Sequence, residues 1–377
     1  MAIPMDYEQT NMEDACDRVR DWIPGTQLDL SWLKLTELPP LPATLTDLDC
    51  SYNKLTLLPH LPDTLLILNC GNNHLTSLPP LPDALTQLIC EGNSLTELPP
   101  LPAILTFLMC RSNPLTELPP LPATLTDLVC SYNKLTLLPY LPDALTSLYC
   151  SYNELTFLPP LPVTLTHLEC CNNNLSSLPP LPATMILLRC EENQLTTLPP
   201  LPASMISLWC EKNQLTSLPP LPNTLEYLLC KDNRLTKLPP LPASMISLLC
   251  EKNQLTSLPP LPAALLNLFC EGNQLTSLSS FPTMLERLNC CNNKLSSLPP
   301  LPVKLIELHC NNNRFPDREE EENIPAFYAR VCEWEQEKSK LRIQKNTQQF
   351  KEELMMNRWH PTRLDVLLEQ GVCVDDL

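Results

Sequence analysis

The chain has 377 residues, 42 of them acidic and 25 basic, for a net charge of −17. That balance argues against nucleic acid or an anionic membrane as the main partner, because either would need a basic footprint. Forty-four prolines against five glycines would mark disorder in an aperiodic chain, but here the prolines recur at fixed places beside leucines, so the composition describes a repeating unit.

At the N-terminus, residues 1–9 hold no apolar core of a secretory leader, so none is expected. No run of about 18 apolar residues follows anywhere, so no membrane span is expected. The segment Asn11 to Ile23 reads as a short capping helix. Asn11 is its candidate N-cap, acids fill its first turn, and Met12, Ala15, Val19, Trp22 and Ile23 share one side. Pro24-Gly25 ends it. Such a helix would cover the open edge of whatever stack follows. Leu28-Asp29-Leu30-Ser31 reads as a truncated first strand, with Leu30 where later repeats carry cysteine and Leu33 where they carry asparagine.

From there a 20-residue period runs to residue 310, with cysteine at 50, 70, 90 and onward to 310, and asparagine at 53, 73, 93 and onward to 313. A fixed period of this length predicts a stacked solenoid. Within one repeat, Leu48 and Cys50 alternate with Asp47 and Asp49, the period-two pattern of a short strand with one buried face. A buried Asn53 can donate to and accept from the backbone of its own and the neighbouring coil. Leu55 and Leu58 return to the interior, and the Leu-Pro pairs after them favour an extended outer wall, since proline lacks the N–H a helix would use. The predicted fold is therefore a β-rich solenoid of about 14 repeats, with parallel strands on a concave face and an extended, polyproline-like convex side. At about 4.8 Å per coil it would span roughly 65 Å. The expected divisions are an N-terminal region and helical cap at 1–30, the solenoid at 31–316, and an acidic junction with C-terminal helices at 317–377.

Fourteen of the nineteen cysteines occupy the inward strand position. Metal sites need thiolates clustered at short spacing, so one cysteine per coil reads as core packing, with no metal, cofactor or disulfide expected. Cys171 and Cys291 directly follow ladder cysteines and are expected to point to the concave side as exposed thiols.

Function should lie where the repeats disagree. The outward strand column reads Asp49, Asn69, Ile89, Met109, Val129, Tyr149, Glu169, Arg189, Trp209, Leu229, Leu249, Phe269, Asn289 and His309. A flanking column adds Phe107, Tyr227, Tyr132 and Tyr152. Strand positions favour aromatic and branched residues for their own sake, yet Trp209 and Phe269 have no structural need to face outward. Large apolar side chains outside the core mark interface anchors. The candidate partner-binding residues are Phe107, Met109, Val129, Tyr149, Arg189, Trp209, Tyr227, Leu229, Leu249 and Phe269. Glu169, Arg189, Glu191, Glu192, Glu211 and Lys212 form a charged belt, either a solvated face or a device for partner register.

Further along, Leu278-Ser279-Ser280-Phe281-Pro282 departs from the repeat, through a local bend or through drift. The acidic run from Asp317 to Glu322 reads as a solvated junction. A helix is predicted from about Ile324 to Met356, with Phe327, Val331, Trp334, Leu341, Phe350 and Leu354 at helical spacing and a basic middle of Lys338, Lys340, Arg342 and Lys345. A second short helix is predicted to open at Trp359-His360-Pro361 and close at Gly371. These helices read as a cap and tail, or as a docking element for a partner helix.

The string Asp17-Arg18-Val19-Arg20-Asp21-Trp22, then Leu28 through Pro42, followed by 20-residue coils with Leu-Pro-x-Leu-Pro, resembles the leucine-rich-repeat half of bacterial type III effectors. That group includes enzymes with a novel E3 ubiquitin-ligase domain and a Yersinia scaffold effector without one. The resemblance covers roughly residues 12 to 315, and similar coils occur in proteins of giant DNA viruses and amoeba-associated bacteria. In the ligase members it implies a large helical C-terminal domain with a Cys-x-Asp nucleophile. This chain departs there, because Cys373-Val374-Asp375 has no room for the surrounding domain that would lower a thiol pKa and hold a thioester. The Asn357-Arg358-Trp359-His360-Pro361 string is similar to short tails of giant-virus proteins. Five scattered histidines and five glycines offer no catalytic cluster and no phosphate-cradling loop. The expected function is a non-enzymatic, cytoplasmic scaffold gripping a protein on its concave face, in a host cell if the chain is an effector or viral protein. The alternative is the substrate-recognition part of a ubiquitin-ligase-type effector that lacks its own catalytic domain.

Overall fold

Every twentieth residue from Leu28 enters one parallel sheet in the computed structural model, which describes residues 7–319 and 322–358. Strand β1 (Leu28–Asp29) is followed by fourteen three-residue strands, from β2 (Asp47–Asp49) to β15 (Glu307–His309), hydrogen-bonded strictly in chain order. Leu48 lies opposite Leu68, and Leu208 opposite Leu228, so a position in the repeat becomes a column in space. Alternation then sorts the side chains. The middle leucine of each strand from β2 to β14 and every ladder cysteine are fully buried. Leu30 takes the cysteine place and is equally buried.

The asparagine column does the work its chemistry allows. Asn53 donates through Nδ2 to the carbonyls of Leu30 (2.8 Å) and Cys50 (3.0 Å), and its Oδ1 accepts the Leu35 N–H at 2.9 Å. One side chain thereby closes its own bend and stitches it to the preceding coil, and only the first coil, with none before it to stitch, carries Leu33 in its place. The residue before each asparagine turns the chain through the left-handed region, with φ from 49° to 67° at every repeat from Tyr52 to Asn312. On the return side the backbone stays extended, with a single turn per repeat. Thr64 there donates to the carbonyls of Ala43 and Leu45 in the preceding coil.

The N-terminal helix α1 spans Tyr7–Arg20. It starts before Asn11, because nothing between Tyr7 and Asn11 interrupts a helix, so Asn11 is an interior residue and not the cap. Trp22 and Ile23 lie beyond its end. Ala15 is buried, Met12, Val19 and Trp22 pack partly against the core, and Ile23 is exposed. Arg18 fastens the helix by donating to the Asp29 carbonyl at 2.9 Å.

At the other end, helix α2 spans Ile324–Arg358, opened by Asn323, whose Oδ1 accepts the Ala326 N–H. Phe327 and Val331 are fully buried under the last coil, Phe327 meeting Phe315 with ring centroids 6.4 Å apart. The expected apolar face does not continue: Leu341 is 61% and Ile343 65% exposed, since the helix runs past the end of the coil it covers. Phe350, Leu354 and the predicted helix at Trp359 fall where no side chain is described. Described parts of the acidic junction are more ordered than a solvated run. Glu322 accepts two hydrogen bonds from Arg330, and Arg318 donates to the carbonyls of Leu308 and Glu322. Around Phe281 the sheet register continues unbroken through β14 (Arg287–Asn289). Among the described residues no helix is long and apolar enough to cross a membrane.

Candidate functional site

The outward strand residues form one continuous ladder. Met109, Val129, Tyr149, Glu169, Arg189, Trp209, Leu229, Leu249 and Phe269 follow one another as direct register partners. Each is partly exposed, and at about 4.8 Å per coil the run is roughly 40 Å long. Phe107 and Tyr227 stand two residues before Met109 and Leu229 on the same face, Tyr227 being exposed. All ten candidate residues therefore share one surface.

Its centre is a small electrostatic knot. The Arg189 guanidinium donates to Glu191 Oε1 at 2.6 and 3.0 Å, lies 3.7 Å from a Glu169 oxygen, and sits 4.2 Å above the Trp209 ring. The Trp209 indole N–H donates to Ser207 Oγ at 2.9 Å, which fixes the ring. An arginine held by carboxylates and an aromatic face is pre-organised for further contacts. The charged belt expected here is thus partly buried and, apart from Glu211, internally paired, not merely solvated. Beside it lies a groove of about 430 Å³ lined by Val129, Tyr132, Tyr149, Tyr152, Arg189 and Glu192. Burial, with Glu169 and Asp127 nearby, raises the pKa of the Tyr149 phenol, so it stays a neutral donor.

Two placements differ from expectation. Tyr132 and Tyr152 are not strand residues: they occupy the left-handed bend, with φ of 57° and 56°, and stack with ring centroids 4.1 Å apart. They still reach the groove, because the bend folds over its rim. Cys171 is not an exposed thiol. It is 4% exposed and donates to Ser151 Oγ, the side chain at the same place in the preceding coil. Cys291 is half-buried, and burial raises the pKa of both thiols.

The rim position two residues past the outward strand column escaped the sequence reading as a set. It carries Glu191, Glu211, Lys231, Glu251 and Glu271 in consecutive coils. Burial pushes the Glu211 carboxyl up to about 7 and also raises that of Glu251. The recurring glutamates were the available signal, since residues i and i+2 leave a strand on the same side.

No protein-family model matches the chain, and no curated protein sequence matches it either. Solved structures do. YopM, a leucine-rich effector protein from Yersinia pestis, is 37% identical, with 85% of this chain and 93% of that one aligned at a TM-score of 0.76. The chain belongs to the leucine-rich-repeat family. The functional domain of InlJ from Listeria monocytogenes, whose structure includes a cysteine ladder, is 26% identical over 68% of this chain and 64% of its own, with a TM-score of 0.54. A Leptospira interrogans leucine-rich-repeat protein shares the fold at 23% identity and a TM-score of 0.59, over 79% of this chain and 93% of that one. This leucine-rich-repeat solenoid thus has effector-like bacterial neighbours.

Proposed function

We infer that the chain is a non-catalytic interaction scaffold whose solenoid, residues 31–316, grips a partner protein on the concave face of its sheet. The observation that carries this reading is the unbroken outward ladder from Met109 to Phe269. There large apolar and aromatic side chains, with the Arg189–Trp209 stack among them, stay partly open to solvent although the core is complete without them. Likeness to a Yersinia pestis effector supports a host protein as the partner and the host cytoplasm as the place of action.

The test is capture of partners from eukaryotic lysate by three forms of the full chain: unaltered, Trp209→Glu with Phe269→Glu, and Val303→Glu as a control on the fully exposed turn of the opposite side. Partners retained by the unaltered chain and the control but lost by the double variant are the expected result. Partners retained by all three would overturn the reading and direct attention to α2.

A further inference from the structure

Toward its C-terminal end the face divides into two contrasting columns. Trp209, Leu229, Leu249 and Phe269 are consecutive register partners, four apolar side chains over roughly 14 Å. Two residues after each stand Glu211, Lys231, Glu251 and Glu271. The columns are within reach of each other, as the preceding coil shows where Arg189 grips Glu191.

The carboxylates of this second column are unequally provided for. Glu191 has its arginine, and Glu271 accepts from the side-chain amides of Asn289 and Asn292 at 2.9 and 3.0 Å. Glu191, Glu211 and Glu251 each keep one oxygen, Oε2, buried and without a hydrogen-bond partner, but of these three only Glu191 has a compensating ion pair: among the described residues none reaches Glu211 or Glu251. A carboxylate oxygen withdrawn from water and given no donor is unfavourable by itself, and a cation brought by a partner would offset that.

Spacing defines how that cation arrives. Glu211 and Glu251 are two coils apart, roughly 9.6 Å at the parallel-strand spacing. An α-helix lying along the ladder presents residues i and i+7 on one face about 10.5 Å apart, with apolar positions between them at about 5.4 Å per turn. An extended peptide offers same-face residues at only about 6.8 or 13.6 Å. Lys231, between the two glutamates, would repel a third cation in the middle. The net charge of −17 favours a basic partner over an acidic one at any range.

We propose that this half of the face receives a basic amphipathic helix of a partner protein. Its apolar stripe rests on Trp209, Leu229, Leu249 and Phe269, and two cationic side chains seven residues apart meet Glu211 and Glu251. The proposal rests on the reading that the face binds a protein, and specifies that partner's chemistry. The groups around Glu211 are Arg189, Glu191, Lys231 and Glu251, and those around Glu251 are Lys231, Lys252 and Glu271. Burial pushes the Glu211 carboxyl up to about 7, so docking of a cation against it would expel protons near neutral pH.

The experiment measures binding of a labelled synthetic 18-residue helix, leucine-faced with arginines seven residues apart, to the full chain by fluorescence anisotropy. A second peptide carries glutamates in place of the arginines. Glu211→Gln with Glu251→Gln is compared with Trp209→Glu with Phe269→Glu, each checked for folding by circular dichroism. The arginine peptide should bind the unaltered chain, lose about tenfold or more in affinity to either double variant, and outcompete the glutamate peptide by a similar margin. Calorimetry in buffers of different ionisation heat should show proton release that the double glutamine variant lacks. Equal binding of the two peptides, or loss only in the Trp209 and Phe269 variant, would overturn the charge pairing while leaving a protein-binding face. No binding of the arginine peptide to the unaltered chain would overturn the proposal outright, with partner capture by the Trp209 and Phe269 variant deciding the broader reading separately.

Discussion

The core of this solenoid and its open face are made from alternate residues of the same three-residue strands, yet they obey opposite rules. Inward, leucine and cysteine repeat with almost no variation, and the asparagine column fixes each bend with the same set of hydrogen bonds. Outward, hardly two neighbouring coils carry the same residue, and the side chains pair with whatever stands beside them, as Arg189 does with Glu191 and Trp209. The contrast teaches where stability resides and where the sequence is free to serve the recognition proposed above: one residue's shift along the strand exchanges one for the other.

The sharpest way to break the comparison is to damage the inner rule in one coil. Asn193 donates to the carbonyls of Cys170 and Cys190 and accepts the Leu175 N–H at 3.0 Å. Asn193→Leu would leave those backbone groups buried and unpaired, and should destabilise the chain by about 3 kcal/mol or more in urea unfolding. Cys190→Ser places a hydroxyl where the thiol is fully buried, and should lose about 2 kcal/mol. By contrast, Trp209→Glu on the outer face should change stability by less than about 1 kcal/mol. In the native state a maleimide reagent should label exposed Cys16 and spare the ladder, because burial pushes thiols such as Cys70 up to about 12 and removes access as well.

Legibility follows the same division. Period, strand positions, the cysteine and asparagine columns and the extended return were all readable, because each is dictated by a contact repeated in every coil. The ends were less readable. The early start of α1 and the solvent exposure of Leu341 each belong to a single helix at one end of the stack, with no repetition to average over. The face was readable as a column of residues from Met109 to Phe269, but its organisation was not. Alternation continues two residues past the strand, so Glu211 and Glu251 stand beside Trp209 and Leu249. The left-handed bend then carries Tyr132 and Tyr152 to the rim, and Cys171 is buried against Ser151. That bend is a backbone event at a position occupied by Tyr, Asn, Gly, Glu and Lys alike, and no single residue type announces it.

Glu211 lies on the boundary between the two rules, and pH sharpens its position. Its carboxyl moves from an ordinary 4.5 up to about 7 on folding, mainly through burial. A raised acid pKa means that the folded chain binds the extra proton. Below about pH 4.5 both states are protonated and Glu211 is neutral in effect. Its penalty grows as pH rises from there to about 7 and is complete above that. Glu211→Gln should therefore leave stability unchanged at pH 4 and raise it at pH 8, as read from urea midpoints at the two values. A constant difference at both would show that the carboxyl is not desolvated in solution.

The smallest effect concerns the bend itself, where the variable face meets the fixed asparagine. Lys252 holds φ at 49° with its side chain exposed, a conformation unfavourable for most residues and open to asparagine, which supplies it at Asn72, Asn172 and Asn292. Lys252→Asn should stabilise the chain by about 0.5 to 1 kcal/mol, a shift resolvable in urea midpoints. The glycines of the same column separate conformational strain from space. A Cβ at Gly272 would find nothing closer than 3.4 Å, whereas one at Gly92 would meet Asn72 Oδ1 at 2.6 Å. Gly92→Ala should accordingly destabilise more than Gly272→Ala, although both residues adopt the same left-handed turn. Equal effects would mean that the bend's demand is purely one of φ, and that coils touch too loosely at this rim to choose between side chains.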